Sequence, residues 1–221
     1  MEIRIGFMHT TPATVKMANY FTAKCLPGAR AVNVQDDVLK INNYTADPGI
    51  TPGENLLKFA GYAKMLQDAG CRVIVSCCSL MPDATRYAAQ AVSVPVIQMD
   101  GYVMDRVVSE YKNVAVYCNA ERTLPFAKKE MEARIAALGR NVKFEIVHGK
   151  DSFQYFNDTQ MDLHDRKVLD DLISLDEKGY DCIMMGQIPM GLLEERIREI
   201  KLKTPCYCAG SMSFEYIKSL L

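Results

Sequence analysis

The sequence predicts an α/β fold of two pseudo-symmetric parallel-sheet lobes, and three observations carry that expectation. Short runs of β-branched and other apolar residues alternate with segments of helical apolar spacing, the pattern of strand–helix units that build a parallel sheet. The strand-like runs stop abruptly in small or polar residues that lead into helices, as in Val73-Ile74-Val75-Ser76-Cys77-Cys78-Ser79. The landmarks also recur at a constant interval: Gly6 is as far from Ala115 as Gly70 is from Gly179, and the spacing of Pro95 and Pro205 differs from theirs by a single position. Each pair falls at the same place in the strand–helix order, which points to two similar halves.

Ile3 to Met8 reads as the first strand and runs into His9-Thr10-Thr11-Pro12, where Thr11 is placed to cap a helix beginning at Pro12. That helix extends to about Lys24, with a turn at Pro27-Gly28 and a strand from Ala31 to Val34 after it. Asp36 to Gly53 contains Pro48, Gly49, Pro52 and Gly53 and reads as an irregular active-site flap. Leu56, Leu57, Phe59, Ala60, Ala63 and Leu66 recur at helical spacing, and Gly70 closes that helix. Val73 to Val75 is a strand buried on both faces. Pro82 suits a first helical turn, where its missing N–H costs nothing, and the helix continues through Ala84 to Gln90. Val94 to Ile97 is the next strand and Tyr102 to Tyr111 a short helix.

The second half is expected to repeat this order. Strands are predicted at Asn113 to Cys118, Val142 to Val147, Asp181 to Gly186 and Pro205 to Cys208. Helices are predicted at Pro125 to Leu138, Met161 to Leu175, Leu192 to Ile200 and Met212 to Leu220, with a polar loop from Gly149 to Thr159. The first lobe is expected to hold residues 1–98 plus 207–221, and the second 99–206.

With 221 residues, 49% hydrophobic and 24% charged, the chain has enough length for one large domain or two small ones. A net charge of −1 with Lys and Arg spread along the chain leaves no electrostatic footprint for nucleic acid or an anionic membrane. A small-molecule partner is expected. No apolar run approaches the roughly 20 residues of a membrane span, and Met1 to Gly6 enters a strand without a signal-peptide pattern, so a cytoplasmic protein is expected. The eight cysteines lack the spacing of a zinc site or a disulfide scaffold, and no metal is expected. Cys71, Cys182 and Cys206 read as small buried hydrophobes.

Cys78 is the candidate for chemistry, because it sits where a strand ends and a helix is about to begin. In parallel sheets that is where ligands bind, and the helix start offers free N–H groups to an anion. A thiolate is the reactive species, and a free thiol's pKa of about 8.5 has to be lowered for it to form. An anion bound at such a turn needs several fixed donors around it. Thr10, Thr11, Ser79 and Thr123 are the candidate donors. Thr11 reads equally as a helix cap and Thr123 as a loop hydroxyl. His9, at a strand end, either helps Cys78 to ionise or is a satisfied hydrogen-bonding residue. On the register of the repeat Cys78 faces Gln187 and His9 faces Cys118. Gln187 either binds a substrate carboxylate or amide, or fills space. Cys77 reads as structural, and Arg122, His148 and His164 as surface residues.

These residues resemble the aspartate/glutamate/hydantoin racemase superfamily over nearly the whole chain. Ala-Gly-Cys-Arg-Val-Ile-Val-Ser-Cys-Cys-Ser, ending at Ser79, is similar to the family's first motif, with Cys78 in the reactive place. Lys-Gly-Tyr-Asp-Cys-Ile-Met-Met-Gly-Gln, ending at Gln187, is similar to the second, with Gln187 where the second thiol is usually found. The resemblance implies two α/β lobes with the active site in the cleft between them, no cofactor, a small carboxylate substrate, and a homo-oligomer as a common state. It implies Cys78 and His9 as catalytic, and Thr10, Thr11, Ser79, Thr123, Gln187 and Ile188 as substrate-binding. The implied reaction is racemisation or isomerisation at the α-carbon. The alternatives are a single-cysteine decarboxylase of the same superfamily and a non-catalytic carboxylate-binding protein.

Overall fold

The computed structural model describes residues 2–221. In chain order the elements are β1 (Ile3–His9), α1 (Pro12–Cys25), β2 (Ala29–Gln35), α2 (Asp37–Thr45), α3 (Gly53–Asp68), β3 (Cys71–Ser76), α4 (Pro82–Ala88), β4 (Val96–Gln98) and α5 (Gly101–Glu110). There follow β5 (Asn113–Cys118), a 3-10 turn (Glu121–Thr123), α6 (Leu124–Ala137), β6 (Lys143–His148), α7 (Lys150–Asn157) and α8 (Met161–Asp176). The chain ends with β7 (Cys182–Met185), a second 3-10 turn (Ile188–Leu193), α9 (Glu194–Glu199), β8 (Cys206–Tyr207) and α10 (Ser211–Ser219). Two compact units result. One holds the residues up to Tyr102 together with Gly210–Leu221, and the other holds Val103–Ala209.

Each unit contains one four-stranded sheet, in the order β2-β1-β3-β4 in the first and β6-β5-β7-β8 in the second. Every pairing in both sheets is parallel. The two sheets therefore share one topology, as the sequence repeat predicts.

In the first unit Ile5, Phe7, Val73, Ile74 and Val75 are fully buried in the middle of the sheet. Gly6 lets α3 lie directly on β1, since a Cβ there would stand 3.0 Å from Leu66 Cδ1. The C-terminal helix closes this core: Phe214 of α10 stacks on Phe7 at 6.0 Å and on Phe21 at 5.4 Å between ring centroids. In the second unit Val168, Leu172 and Leu175 of α8 pack on Ala115, Tyr117, Ile183 and Met185. Tyr117 is fully buried, and its hydroxyl donates to Asp171 at 2.8 Å.

Two expected loops are helical. The segment read as an irregular flap contains α2, nine residues long and N-capped by Asp36, whose carboxylate accepts the Val38 N–H at 2.8 Å. Tyr62 and Lys58 bond the other oxygen of that carboxylate at 2.6 and 3.3 Å, which anchors the cap to α3. The segment read as a second polar loop contains α7. Thr11 precedes α1 without a side-chain capping bond. The Thr14 hydroxyl donates instead to the Thr11 carbonyl.

Asn55, fully buried on α3, fastens α2 in place. Its Nδ2 donates to the Leu39 carbonyl at 2.9 Å and to Asn43 Oδ1 at 3.0 Å, and its Oδ1 accepts from Asn42 at 2.9 Å. Asn55→Leu strips partners from three groups, two of them on the interior side of the helix. A loss of about 2–3 kcal/mol is expected from urea unfolding, with faster proteolysis inside residues 36–53. A loss below about 1 kcal/mol would show that Asn55 is not the fastening.

Candidate active site

Strand order decides where a site can form. The chain leaves β1 for β2 on one side and returns to β3 on the other, so the connections diverge at the carboxyl ends of β1 and β3. Thr10 follows β1 directly, and Cys78 stands two residues beyond β3. The Cys77 N–H donates to the Met8 carbonyl at 2.9 Å and carries the pairing one step past the strand. The Cys78 carbonyl then accepts from Gln98 Nε2 at 2.8 Å and from the Met81 N–H at 3.0 Å, which closes the turn into α4.

The Cys78 sulfur accepts hydrogen bonds from the Thr10 hydroxyl and the Leu80 backbone N–H. Burial pushes the thiol up, and these two donors pull it down. Two charges also reach it: Asp100, buried just after β4, raises it, and Lys40 on α2 lowers it. The net direction is upward, so Cys78 rests as a thiol with donors in place for the thiolate. Cys77 is driven much further up by burial, with the Cys78 and Asp100 charges adding to it, and its Sγ donates to the Val75 carbonyl. It is a structural residue.

Ser79 is half-buried beside Cys78 in the turn, and Thr11 is half-buried beyond Thr10. His9 behaves otherwise. Its Nε2–H donates to Asn33 Oδ1 at 2.9 Å, and its Nδ1 lies 3.0 Å from the Thr14 hydroxyl. Asn33 is oriented for this by donating its own Nδ2 to Asn19 Oδ1 at 3.0 Å. Burial lowers the His9 pKa to about 4, against the Asn33 bond that raises it. His9 is therefore neutral at pH 7 and ties β1 to α1 and β2. The expectation that it helps Cys78 ionise is corrected: its two ring nitrogens face Asn33 and Thr14 instead, and what pulls Cys78 down is the Thr10 hydroxyl, then the Leu80 N–H and last the Lys40 charge.

Thr123, Gln187 and Ile188 lie in the second unit. Thr123 is buried in the turn after β5, and its N–H donates to the Ala120 carbonyl at 2.9 Å. The Ile188 side chain is fully buried. Gln187 Oε1 accepts the backbone N–H groups of Asn119 and Ala120 at 2.6 and 3.1 Å. Register makes this the counterpart of the first unit, because Asn119 follows Thr10, and Gln187 follows Cys78, by the same interval that separates Gly6 from Ala115. In each unit the residue beyond the third strand accepts from the residue beyond the first.

His164 corrects the surface reading given to it, being only 6% exposed. Asn119 Nδ2 donates to its Nε2 at 2.9 Å, so its Nδ1–H faces Asp165 Oδ1 at 2.8 Å, and Arg196 holds the other Asp165 oxygen at 2.7 Å. His148 is exposed as expected, and its Nε2–H donates to the Asn119 carbonyl at 3.1 Å. Among the described residues no group of three or more His, Cys, Asp or Glu is placed to hold a metal, and no helix is long and apolar enough to cross a membrane.

Lys40, Asp100, Gln98 and the Asn43–Asn55 pair were not singled out from the sequence. Asp100 had a usable signal, since it follows a strand just as Cys78 does. Lys40 had none once its segment was read as irregular.

Two measurements test this geometry. His9 has a folded pKa of about 4 against about 6.5 unfolded, so the unfolded chain binds more protons between those values. Stability is full above about pH 6.5 and falls as pH drops toward about 4, by on the order of 3 kcal/mol from this residue. The stability difference between wild type and His9→Gln should shrink over that window in urea unfolding, and parallel curves would refute the assignment. Gln187→Leu should cost about 2–3 kcal/mol by unpairing two buried N–H groups, with Gln187→Glu recovering most of it. Equal stability of the Leu and Glu variants would refute that role.

Comparison with known proteins agrees with this architecture. The family model described as Asp/Glu/Hydantoin racemase matches residues 5–211. A search of curated proteins finds no match. Among solved structures, glutamate racemase from Francisella tularensis subsp. tularensis SCHU S4, in complex with D-glutamate, aligns with a TM-score of 0.70 at 16% identity, covering 100% of this chain and 81% of that one. Picrophilus torridus aspartate racemase aligns at 0.69 with 18% identity, covering 99% and 94%. Allantoin racemase from Klebsiella pneumoniae aligns at 0.67 with 17% identity, covering 99% and 87%. At these identities the likeness is one of fold.

Proposed function

The chain belongs to the Asp/Glu/hydantoin racemase family, and we propose that it performs cofactor-independent proton transfer at the α-carbon of a small carboxylate, with Cys78 as the proton carrier. The supporting observation is the pair of donors on one sulfur: the Thr10 hydroxyl and the Leu80 N–H serve a thiolate better than a thiol. When the thiolate takes the α-proton, the C–H bond breaks, an S–H bond forms, and the electron pair spreads onto the carboxylate as an enediolate. Thr11, Ser79 and the N–H groups of the Cys78 turn are the donors for those oxygens. His9 acts as a positioning residue that holds the end of β1.

Racemisation needs an acid–base group on each face of the carbon, and the counterpart of Cys78 is Gln187. Its amide neither gives nor takes a proton in this range, and its oxygen already serves two N–H groups. This favours transfer on one face. Cys78 then returns a proton to the side it came from, or protonates a carbanion left by loss of carbon dioxide. In the second case the C–C bond breaks with its electron pair left on the α-carbon as carbon dioxide departs, and that pair takes the Sγ proton and leaves a thiolate. A thiol that rests protonated is ready for that step.

The test is proton exchange in deuterium oxide, followed by NMR across amino acids, hydantoins, malonates and maleate, with Cys78→Ser beside the wild type. Deuterium should enter the α-carbon, or a carboxyl group should leave, with the wild type. The variant should be slower by roughly 10²–10⁴-fold. Exchange without inversion is expected, and inversion would overturn the one-face reading. Silence from both proteins with a carboxylate still bound would make this a binding protein without turnover.

A further inference from the structure

A side chain from the neighbouring strand holds the carbonyl of Cys78. Gln98 ends β4, the three-residue edge strand of the first sheet, where it lies opposite Ser76. The Met99 N–H that follows donates to the Ser76 carbonyl at 3.0 Å, so the Gln98 backbone is fixed beside the end of β3. From there its Nε2 donates to the Cys78 carbonyl at 2.8 Å, and its Oε1 accepts from the hydroxyl of Thr85 on α4, also at 2.8 Å. A carbonyl only accepts, so the amide nitrogen must face Cys78 and the amide oxygen Thr85. Thr85 is itself buried, and its hydroxyl lies 2.8 Å from the Met81 carbonyl oxygen as well.

The turn held by this amide is the one that serves the sulfur. The Met81 N–H donates to the Cys78 carbonyl at 3.0 Å, which makes Cys78 the first residue of a β-turn. A side-chain acceptor at that position takes the N–H two residues on, as Asp and Ser do in such turns, and the Cys78 sulfur does so with Leu80. That contact depends on the torsion between the Cys78 Cα and its carbonyl carbon, and the two bonds to the carbonyl oxygen fix that torsion. The second unit repeats the turn with a thiol in place of the amide. There the Met190 N–H donates to the Gln187 carbonyl at 3.2 Å. At the interval that separates Pro95 from Pro205, the counterpart of Gln98 is Cys208, which packs in the core with Ile183 and Met185. The amide thus accompanies the half that carries Cys78.

We propose that Gln98 is a positioning residue for Cys78: its amide, oriented by Thr85, holds the turn in the shape that keeps the Leu80 N–H on the sulfur. This rests on the reading of Cys78 as the reacting thiol. A thiolate gains more from an N–H donor than a thiol does, so loosening the turn costs the ionised form. Gln98 acts through the Cys78 carbonyl and not at the sulfur. A carboxamide suits this role because it donates at one end and accepts at the other, and adds no charge beside a group that has to ionise.

Alkylation by iodoacetamide, which forms an S–C bond as iodide leaves, reads the Cys78 thiolate without a known substrate. The modified sulfur is located by tandem mass spectrometry and its rate is followed against pH. The midpoint of that profile should rise by about 0.5–1 on the pH scale in Gln98→Met. Gln98→Glu fills the same space but sets an oxygen against the Cys78 carbonyl, and should do no better than Met. Thr85→Val releases the far end of the amide and should move the midpoint the same way by less, while Thr85→Ser, which keeps the hydroxyl, should restore it. With an acid that Cys78 turns over, Gln98→Met should lower kcat more than it raises KM. An unchanged midpoint in Gln98→Met, or in Thr85→Val should the Gln98 variants not fold, would overturn the role of Gln98 even if Cys78-dependent turnover is found. A raised midpoint together with turnover that survives Cys78→Ser would keep Gln98 as the clamp of the turn and remove the catalytic reading instead.

Discussion

The side-by-side register of β1 and β3 is the constraint on which the candidate site depends. Phe7 lies opposite Val75 and Met8 opposite Ser76, so the chain leaves both strands at the same height. Thr10 and Cys78 meet for that reason, although three helices and two strands separate them along the chain. A slip of one residue would turn every side chain of the strand to the opposite face and separate the hydroxyl from the sulfur. Much of the first unit protects that register. Gly6 admits α3 against β1, the C-terminal helix stacks Phe214 on Phe7, and the Cys77 N–H extends the pairing to the edge of the turn.

The second unit preserves the construction and changes the chemistry. A side chain beyond β7 again accepts from the residue beyond β5, but it is an amide on two backbone N–H groups where the first unit has a sulfur on a hydroxyl. Asn55 and His164, which the repeat also pairs, show the same drift. Both are buried in the first turn of their helices. One organises the Asn42–Asn43 segment, and the other holds the Asn119 side chain. Polar residues buried in this way are retained because their loss would leave partners unsatisfied in a dry interior.

The sheets, their parallel sense and the repeat were legible because β-branched runs and strand-end turns depend on local pattern alone. Cys78 was legible for the same reason, since its place follows from where a strand stops. What escaped notice depended on contacts from far along the chain. Helix α2 carries few apolar residues on its inner side and relies on the Asp36 cap and on Asn55, while the prolines and glycines after it suggested an irregular segment. His164 sits among charged residues, Met-Asp-Leu-His-Asp-Arg-Lys, and only the bond from Asn119 explains why it faces inward. His9 shows the reverse case. Its position suggested chemistry, and its neighbours Asn33 and Thr14 commit it to holding the framework.

One detail of the second unit bears on how such a duplicated chain can diverge. A Cβ on Gly186 would stand 2.4 Å from Cys118 Sγ, so these two positions share a single side chain's worth of room. Their counterparts in the first unit, by the same register, are Cys77 and His9, both buried. The space is thus apportioned differently in the two halves, and a side chain at 186 needs the Cys118 sulfur out of its way. Substitutions at 118 and 186 should travel as a pair through related sequences, with bulk at one matched by its absence at the other. The residue just before Gln187 is therefore tied to β5 by volume, which limits how freely the turn beyond it can be remodelled.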